Sequence, residues 1–254
     1  LEKIAFEKAG IIKPGTPLVI GLQEPEIEKY LTEVALNRKA PYSLASSLKI
    51  EQAFVNEGGN SFRLNHPLFG SLNLRTGLIG KHQIFNCLNF LAGLEFLFKS
   101  VPKLTQRSVV SGLAKAYWPG RFERVPGFDS LKLYLDGAHN PDGMWALVGN
   151  LASIYPGQKA DFLVGILNNR PLPEMAAILA PVARRVILTQ VPDPKSATTE
   201  DLTKVFTELG VEIVAEPIPE KALELLLKTD NQLALVCGSL YLIGYLRERL
   251  VDNR

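Results

Sequence analysis

The stretch "LKLYLDGAHNPDGMWALVGNLASI", residues 131–154, decides the fold. It opens with an apolar run typical of a buried strand, and residues 143–154 follow the spacing of a helix. Between them stands the polar segment "DGAHN". A strand that leads through a short loop into a helix is the repeating unit of a parallel α/β sheet.

The same unit recurs through the second half of the sequence. Strand-like runs cover residues 131–135, 161–167, 185–190, 211–216 and 232–238, and helical patterns cover 143–154, 172–182, 199–209, 219–229 and 239–250. Thr198 or Thr199 can cap one helix, and Gly210 can end it before the next strand. The alternation predicts a doubly wound, Rossmann-like domain over residues 118–254, with helices on both faces of the sheet. No G-x-G-x-x-G follows its first strand, so the dinucleotide fingerprint is absent.

The first half has a more mixed pattern, which we interpret as one edge of an α/β domain with an antiparallel extension. Its predicted strands are 17–21, 47–55, 61–65 and 70–76, and its predicted helices are 24–38, 80–99 and 105–116. The stretch "YWPGRFERVPG", residues 117–127, contains two prolines and two glycines, which is typical of a linker. We therefore predict two domains, 1–117 and 118–254.

Composition narrows the class of protein. The 254 residues carry a net charge of +2, and no segment concentrates Lys and Arg, which disfavours a nucleic-acid surface. No apolar run reaches the roughly 18 residues of a membrane span. Cys87 and Cys237 lie in apolar runs, which favours buried free thiols in a reducing compartment, and we expect a cytoplasmic protein. Because the sequence begins at Leu1 without a Met or a signal peptide, we interpret it as part of a longer protein.

The loop after the first strand of the second domain is the strongest candidate site. In doubly wound sheets, ligands bind beyond the carboxyl ends of the strands, where Asp136 and His139 fall. Asn140 and Pro141 suit the start of the next helix. A turn and a cap require only one short polar residue, so a ligand role is favoured for Asp136 and His139 and a capping role for Asn140.

Two further segments could reach the same edge of the sheet. Arg121 follows a glycine at the predicted domain junction, where its guanidinium could bind phosphates or pair with Glu123 or Asp129; local sequence leaves both open. Ser239 follows the last strand and could cap the final helix or present its hydroxyl and backbone N–H to an anion.

Two candidates lie in the first domain. Asn86 and Asn89 interrupt the apolar face of a predicted helix, so their amides would bond the backbone, which local reasoning favours, or a ligand. Lys8 and Lys13 lie around the carboxyl-terminal end of a predicted helix. From spacing alone, we favour the interpretation that both are solvated charges that interact favourably with the helix dipole.

Five motifs together resemble one family. "EKAGIIKPG", "GKHQIFN", "WPGRFE", "LDGAHNPDG" and "GSLYLIG" occur here in the order seen in the bacterial folylpolyglutamate synthase/dihydrofolate synthase family, and the likeness runs from Leu1 to about Arg249. The wider relatives are the Mur ligases, which make muramoyl peptides.

The resemblance implies an ATP-dependent amide ligase. In this family the γ-phosphoryl group of ATP moves to a carboxylate of a pterin substrate, and the amine of L-glutamate attacks the acyl phosphate. The implied substrates are L-glutamate with dihydropteroate, folyl-(poly)glutamate or both, and the implied cofactors are ATP and Mg²⁺, with K⁺ as a further candidate cation. We expect a monomer that binds neither nucleic acid nor membranes.

The resemblance also assigns residues. Lys8 falls on the family's carbamoylated lysine, whose carbamate helps to bind Mg²⁺. Asn86, Arg121 and Asp136 fall on ATP-binding positions, with phosphates for the arginine and the base or ribose for the other two. His139 and Ser239 fall on positions linked to the incoming glutamate and the acyl phosphate.

One departure from the family is large, because no G-x-x-x-x-G-K-[ST] occurs in the 254 residues. We therefore interpret the first domain as the carboxyl-terminal remainder of a central P-loop ATPase domain and expect this chain alone not to turn over ATP. Two alternatives remain: a muramoyl-peptide ligase, or a non-catalytic Rossmann-like binding module.

Overall fold

A computed structural model of the chain describes residues 2–128 and 130–252, so Asp129, one predicted partner of Arg121, lies outside the described residues. The chain divides into two compact units. The first contains Leu1–Gly77 and Lys81–Ala116, and the second contains Leu78–Gly80 and Tyr117–Arg254.

The first unit is mixed α/β. Its elements are α1 (Glu2–Ala9), β1 (Leu18–Ile20), α2 (Pro25–Asn37), β2 (Tyr42–Leu44), a 3₁₀ turn (Ala45–Ser47), β3 (Ile50–Asn56), β4 (Gly59–His66), β5 (Gly70–Thr76), α3 (Lys81–Ala92), α4 (Leu94–Ser100) and α5 (Gln106–Ala114). Strands β1 and β2 pair in parallel, while β3, β4 and β5 form an antiparallel sheet. The predicted antiparallel extension is therefore present.

Alternating burial explains how the antiparallel sheet packs. Phe62 and Leu64 of β4 and Leu72 and Leu74 of β5 are buried in the same cluster as the apolar face of α3. Side chains of a strand point alternately to its two faces, so every second residue of these strands belongs to the core and the others face solvent.

One prediction for the first unit was wrong in detail, and one strand was missed. The single helix predicted over 80–99 is two helices, α3 and α4, which meet at Gly93. Glycine weakens a helix interior, which favours a break at this position. A β-carbon here would lie 3.1 Å from Val19 Cγ2, so the close packing also favours glycine. The three-residue strand β2 was not predicted, because so short a run carries no clear period.

The second unit is the predicted doubly wound domain. Its elements are β6 (Glu123–Arg124), β7 (Lys132–Asp136), α6 (Pro141–Ile154), β8 (Ala160–Val164), α7 (Leu172–Leu179), β9 (Ala183–Leu188), α8 (Thr199–Thr207), β10 (Glu212–Ala215), α9 (Pro219–Leu227), β11 (Leu233–Cys237), α10 (Leu240–Arg247) and a π-helical turn (Glu248–Asp252). The six described strands take the order β10-β9-β8-β11-β7-β6, and all neighbours are parallel except β6 and β7.

The predicted linker over 117–127 is wrong in one respect, since it contains an edge strand. Glu123 and Arg124 of β6 pair antiparallel with Leu135 and Tyr134 of β7. Parallel strands need long crossovers, whereas the chain that enters β7 can fold back on it directly and cover its open edge.

The core of this sheet explains its apolar sequence. All residues of β8 and β11 are buried, and Leu133, Leu163 and Val236 belong to one cluster with α9 and α10. Strands covered on both faces are apolar throughout rather than alternating. Cys87 and Cys237 are buried free thiols, as predicted. Among the residues described, no helix is long and apolar enough to cross a membrane.

Candidate functional site

Two neighbouring strands deliver the polar loops to one edge of the sheet. Asp136 ends β7 and lies opposite Cys237, which ends β11, so the loops that follow leave the sheet side by side. The N–H of Gly238 donates to the carbonyl of Ala138 at 3.0 Å and joins the two loops. Carboxyl ends of parallel strands are where such folds bind ligands.

The carboxylate of Asp136 ties this edge together. The side chain is 8% exposed; Oδ2 accepts from the N–H of Phe122 at 2.9 Å, and Oδ1 accepts from the N–H of Ala138 at 2.8 Å. Burial raises the pKa of Asp136 to about 6, although the two N–H groups and the charge of Arg121 act in the opposite direction. Asp136 therefore holds both its own loop and the segment that carries Arg121.

Arg121 projects from a tightly held turn beside this loop. The carbonyl of Gly120 accepts from the N–H of Gly137 at 2.7 Å, and a β-carbon at Gly137 would lie 3.2 Å from Nη1 of Arg121. Arg121 is half-buried, and its guanidinium has no hydrogen-bond partner among the residues described. The predicted alternative of an Arg121–Glu123 pair is wrong, because Glu123 binds Arg247 instead, with Nε–Oε1 at 3.0 Å.

His139 has a defined tautomer in its neutral form. Its Nδ1 lies 2.8 Å from the carbonyl oxygen of Gly137, which can only accept, so Nδ1 carries the proton. Nε2 is then left with a lone pair. The next residue, Asn140, caps α6 as predicted, since its Oδ1 accepts from the N–H of Gly143 at 2.7 Å.

Ser239 lies at the start of α10, on the adjoining loop. Its side chain is buried, and Oγ accepts from the N–H of Tyr241 at 3.2 Å, which confirms the predicted cap. Because the cap uses the oxygen as an acceptor, the O–H is still able to donate. The loop is tight: Gly238 has a φ of 106°, and a β-carbon there would lie 2.4 Å from the carbonyl oxygen of Gly165.

The other two predicted site residues belong to the first unit. Lys8 is exposed in the last turn of α1 and has no ion pair among the residues described. Asn86 is exposed rather than buried, so its predicted place on the apolar face of α3 was wrong; its Nδ2 donates to Oε1 of the buried Gln83 at 2.9 Å. Asn89 is half-buried, and its Oδ1 has no hydrogen-bond partner in the part of the chain that the structure describes.

Sequence reasoning missed the residues that support Arg121. Glu123 accepts from the N–H of Gly120 at 2.7 Å and from the hydroxyl of Tyr117, and Arg247 binds both of its oxygens. Glu123 stands two residues after Arg121 in the motif "WPGRFE", and this proximity was the only indication in the sequence that Glu123 supports the turn of Arg121. Arg247 is 124 residues away, and nothing local connects it to this loop.

A metal site is not evident from side chains alone. Within residues 2–128 and 130–252, no group of three or more His, Cys, Asp or Glu side chains is placed to hold a metal ion.

Comparison with known proteins agrees with the fold and the motifs. Residues 120–240 match the family model described as "Mur ligase, glutamate ligase domain". The dihydrofolate synthase/folylpolyglutamate synthase of Bacillus subtilis is 30% identical, over 98% of this chain and 58% of the relative. The chain thus spans little more than half the length of that curated relative.

Solved structures give the same result for the whole chain. The folylpolyglutamate synthase of Thermotoga maritima is 28% identical with a TM-score of 0.82, covering 100% of this chain and 58% of that one. That of Mycobacterium tuberculosis, complexed with ADP and AMPPCP, is 26% identical with a TM-score of 0.86, covering 98% and 59%. The chain therefore carries a Mur ligase glutamate ligase domain over residues 120–240 and is a homologue of the folylpolyglutamate and dihydrofolate synthases.

Proposed function

We propose that this chain serves an ATP-dependent ligase that adds L-glutamate to dihydropteroate, to folyl-(poly)glutamate, or to both. One observation carries the proposal: three contacting segments bring Arg121, Asp136, His139 and Ser239 to one edge of the sheet. The names of the homologues and the ADP and AMPPCP bound to the Mycobacterium tuberculosis relative support this reaction class.

The proposed reaction proceeds in two steps. A carboxylate oxygen of the pterin substrate takes the γ-phosphoryl group of ATP, and ADP leaves. The amine of L-glutamate then attacks the acyl carbon through a tetrahedral intermediate, loses a proton, and phosphate leaves as the amide forms. Such transfers depend on accurate positioning and on neutralising the charge of the phosphates.

Arg121 and Asp136 are the proposed ATP contacts of the second unit. The guanidinium of Arg121 is unengaged among the described residues and can bind phosphate oxygens in a bidentate manner. Each carboxylate oxygen of Asp136 accepts one N–H and retains a lone pair that a ribose hydroxyl could use. Asn86, exposed on α3, is the proposed amide contact of the first unit to the base or ribose.

His139 and Ser239 are the proposed groups at the glutamate and acyl-phosphate end. The lone pair on Nε2 of His139 can accept the proton that the amine of L-glutamate loses as it attacks the acyl carbon. The hydroxyl of Ser239 and the amino-terminal N–H groups of α10 can bind oxygens of the acyl phosphate.

Lys8 is the proposed carbamate. Addition of CO₂ to its neutral amine, with loss of a proton, would give an anionic oxygen ligand for Mg²⁺. No group of three or more His, Cys, Asp or Glu side chains in the described residues is placed to hold a metal ion, so the Lys8 carbamate is the one Mg²⁺ ligand that we propose from this chain, and we propose no ligand for K⁺.

We further propose that residues 1–117 are the carboxyl-terminal remainder of a central ATP-binding domain. Because no P-loop motif occurs in the 254 residues, we expect no ATP turnover from them alone.

The direct test is ADP release by the whole protein with L-glutamate and either dihydropteroate or a folate. Turnover that requires both substrates, and that is lost in Arg121→Ala, supports the proposal. Turnover with a muramoyl peptide but no pterin would assign the other ligase class. Nucleotide binding without turnover on any of these substrates would instead indicate a binding module.

A further inference from the structure

The turn that carries Arg121 is held by a carboxylate on each side. The N–H of Gly120 donates to Oε2 of Glu123 at 2.7 Å, and the N–H of Phe122 donates to Oδ2 of Asp136 at 2.9 Å. Hydrogen bonds to ionised acceptors are stronger than neutral ones. The peptide groups Pro119–Gly120 and Arg121–Phe122 are therefore both fixed, while the guanidinium of Arg121 has no hydrogen-bond partner within residues 2–128 and 130–252.

The backbone of this turn is strained. Gly120 has a φ of 69°, and Phe122, which is not a glycine, has a φ of 48°. The left-handed conformation costs a residue with a β-carbon roughly 1–2 kcal/mol. The ring of Phe122 is buried against Tyr134, with centroids 4.6 Å apart, so packing and the bond to Asp136 together maintain the strained geometry. Such strain concentrates at sites where one geometry is needed.

Arg247 keeps Glu123 in place. Nε of Arg247 lies 3.0 and 3.1 Å from the two oxygens of Glu123, whose side chain is 3% exposed. Its Nη2 also donates to the hydroxyl of Tyr117 at 3.0 Å, and that hydroxyl bonds Glu123. A buried carboxylate is costly without a partner, so Arg247 supplies the counter-charge of Glu123 and fixes its orientation.

Helix α10 therefore contacts the site from both ends. Its N-cap, Ser239, lies on the loop beside Asp136, and its last residue, Arg247, anchors the turn that carries Arg121. We propose that Glu123 and Arg247 are positioning residues that preorganise Arg121 for the phosphates of ATP. The inference rests on the proposed function, in which Arg121 binds those phosphates. Preorganisation lowers the entropy cost of binding, and its loss weakens affinity without removing any direct contact.

The test is the KM for ATP of the whole protein. Arg247→Met should raise it roughly tenfold, because the turn can relax, while kcat changes less. Arg247→Lys, which keeps the charge but not the guanidinium, should give an intermediate KM. Arg249→Met is the matched control: it removes a guanidinium two residues further along that pairs with Glu220 at 2.7 Å and contacts Tyr245 rather than the turn, and it should leave KM unchanged.

A double-mutant cycle separates this inference from the proposed function. If Arg247 acts through Arg121, Arg247→Met should have no further effect on KM in an Arg121→Ala background. An Arg121→Ala variant with the wild-type KM would refute the phosphate role itself. The positioning role alone would be overturned if Arg121→Ala raised KM but Arg247→Met left it at the wild-type value. It would also be overturned if Arg121→Ala raised KM and the two substitutions together raised it by the product of their separate effects. Should Arg247→Met not fold, Glu123→Gln tests the same contact, with a several-fold rise expected and a wild-type KM contradicting it.

Discussion

Phe122 donates its backbone N–H to the carboxylate of Asp136 at 2.9 Å, across 14 residues of sequence. The bond fastens the segment of Arg121 to the end of β7, beside the loop of His139. Asp136, proposed as an ATP contact, is thus also the group that assembles the site. Substitution of Asp136 should therefore change both the stability and the function of the protein. The pH dependence of unfolding reports on the contribution to stability alone.

Asp136 should make the folded protein less stable as pH rises. Its pKa is about 6 when folded, against about 3.9 for an ordinary Asp in the unfolded chain. Between these values the folded state binds more protons, so the contribution is complete below about pH 4 and is lost as pH rises through 6, by roughly 3 kcal/mol. Urea unfolding of wild type and Asp136→Asn at several pH values isolates this effect, because Asn does not titrate. A difference in unfolding free energy that does not vary with pH would contradict it.

Asp161 should show the opposite dependence at the other end of the sheet. Burial alone would raise its pKa, but hydrogen bonds from Arg184, Thr229 and Asn231 outweigh that effect and lower it. Its contribution is therefore present above about pH 4 and lost in more acidic solution. Asp161→Ala should lower the free energy of unfolding by roughly 3 kcal/mol at neutral pH, because Arg185, half-buried beside it, loses its partner.

The same variant also serves as a control for the site. Asp161 lies on β8, near its amino-terminal end, away from the loops that carry His139 and Ser239. The KM for ATP of folded Asp161→Ala should equal that of wild type, and a raised value would show that this ion pair acts on the site.

Two glycines should respond in opposite ways to the same substitution. At Gly238, φ is 106° and a β-carbon would lie 2.4 Å from a backbone oxygen, so Gly238→Ala should cost about 2 kcal/mol or more. Gly149 is exposed inside α6 and a β-carbon there meets nothing within 4 Å, so Gly149→Ala should stabilise by about 1 kcal/mol. Thermal unfolding measures both. A neutral Gly238→Ala would mean that the loop beside Ser239 can relax.

His139→Asn should reduce kcat of the whole protein about 100-fold, the lower range for loss of a general base. The Asn amide can keep the bond to the carbonyl of Gly137 but places no acceptor where Nε2 lies. The KM for ATP should change little, because His139 is assigned to the glutamate end. A wild-type kcat in the folded variant would remove His139 from the mechanism.

Local structure in the second unit was predictable from sequence. The strands and helices after Leu131 were recognised because apolar runs and helical spacing alternate without interruption. Asn140, Thr198 and Ser239 act as caps in the structure, since a cap bonds an N–H only two or three residues ahead. The break at Gly93 and the exposure of Asn86 were not predictable, because they depend on which face of the helix meets its neighbours.

The site itself was predicted only in outline. Asp136 and His139 were placed at the ligand edge by the general rule for parallel sheets. The rule gives the position of a residue but not its hydrogen-bond partners, so the double anchoring of Asp136 and the pairing of Glu123 with Arg247 were missed.

The sequence by itself determined the class of fold, the order of strands and helices in the second unit, and the five motifs that mark its relatives. Each of these depends on residues close together along the chain. Only the tertiary structure decided which polar atoms meet. The strand order β8-β11-β7-β6 lays distant segments side by side, so that Arg247 reaches Glu123 across 124 residues and Thr229 reaches Asp161 across 68. The periodicity of burial depends on residues that are close together in the sequence, whereas hydrogen-bond partners depend on how the whole sheet is assembled.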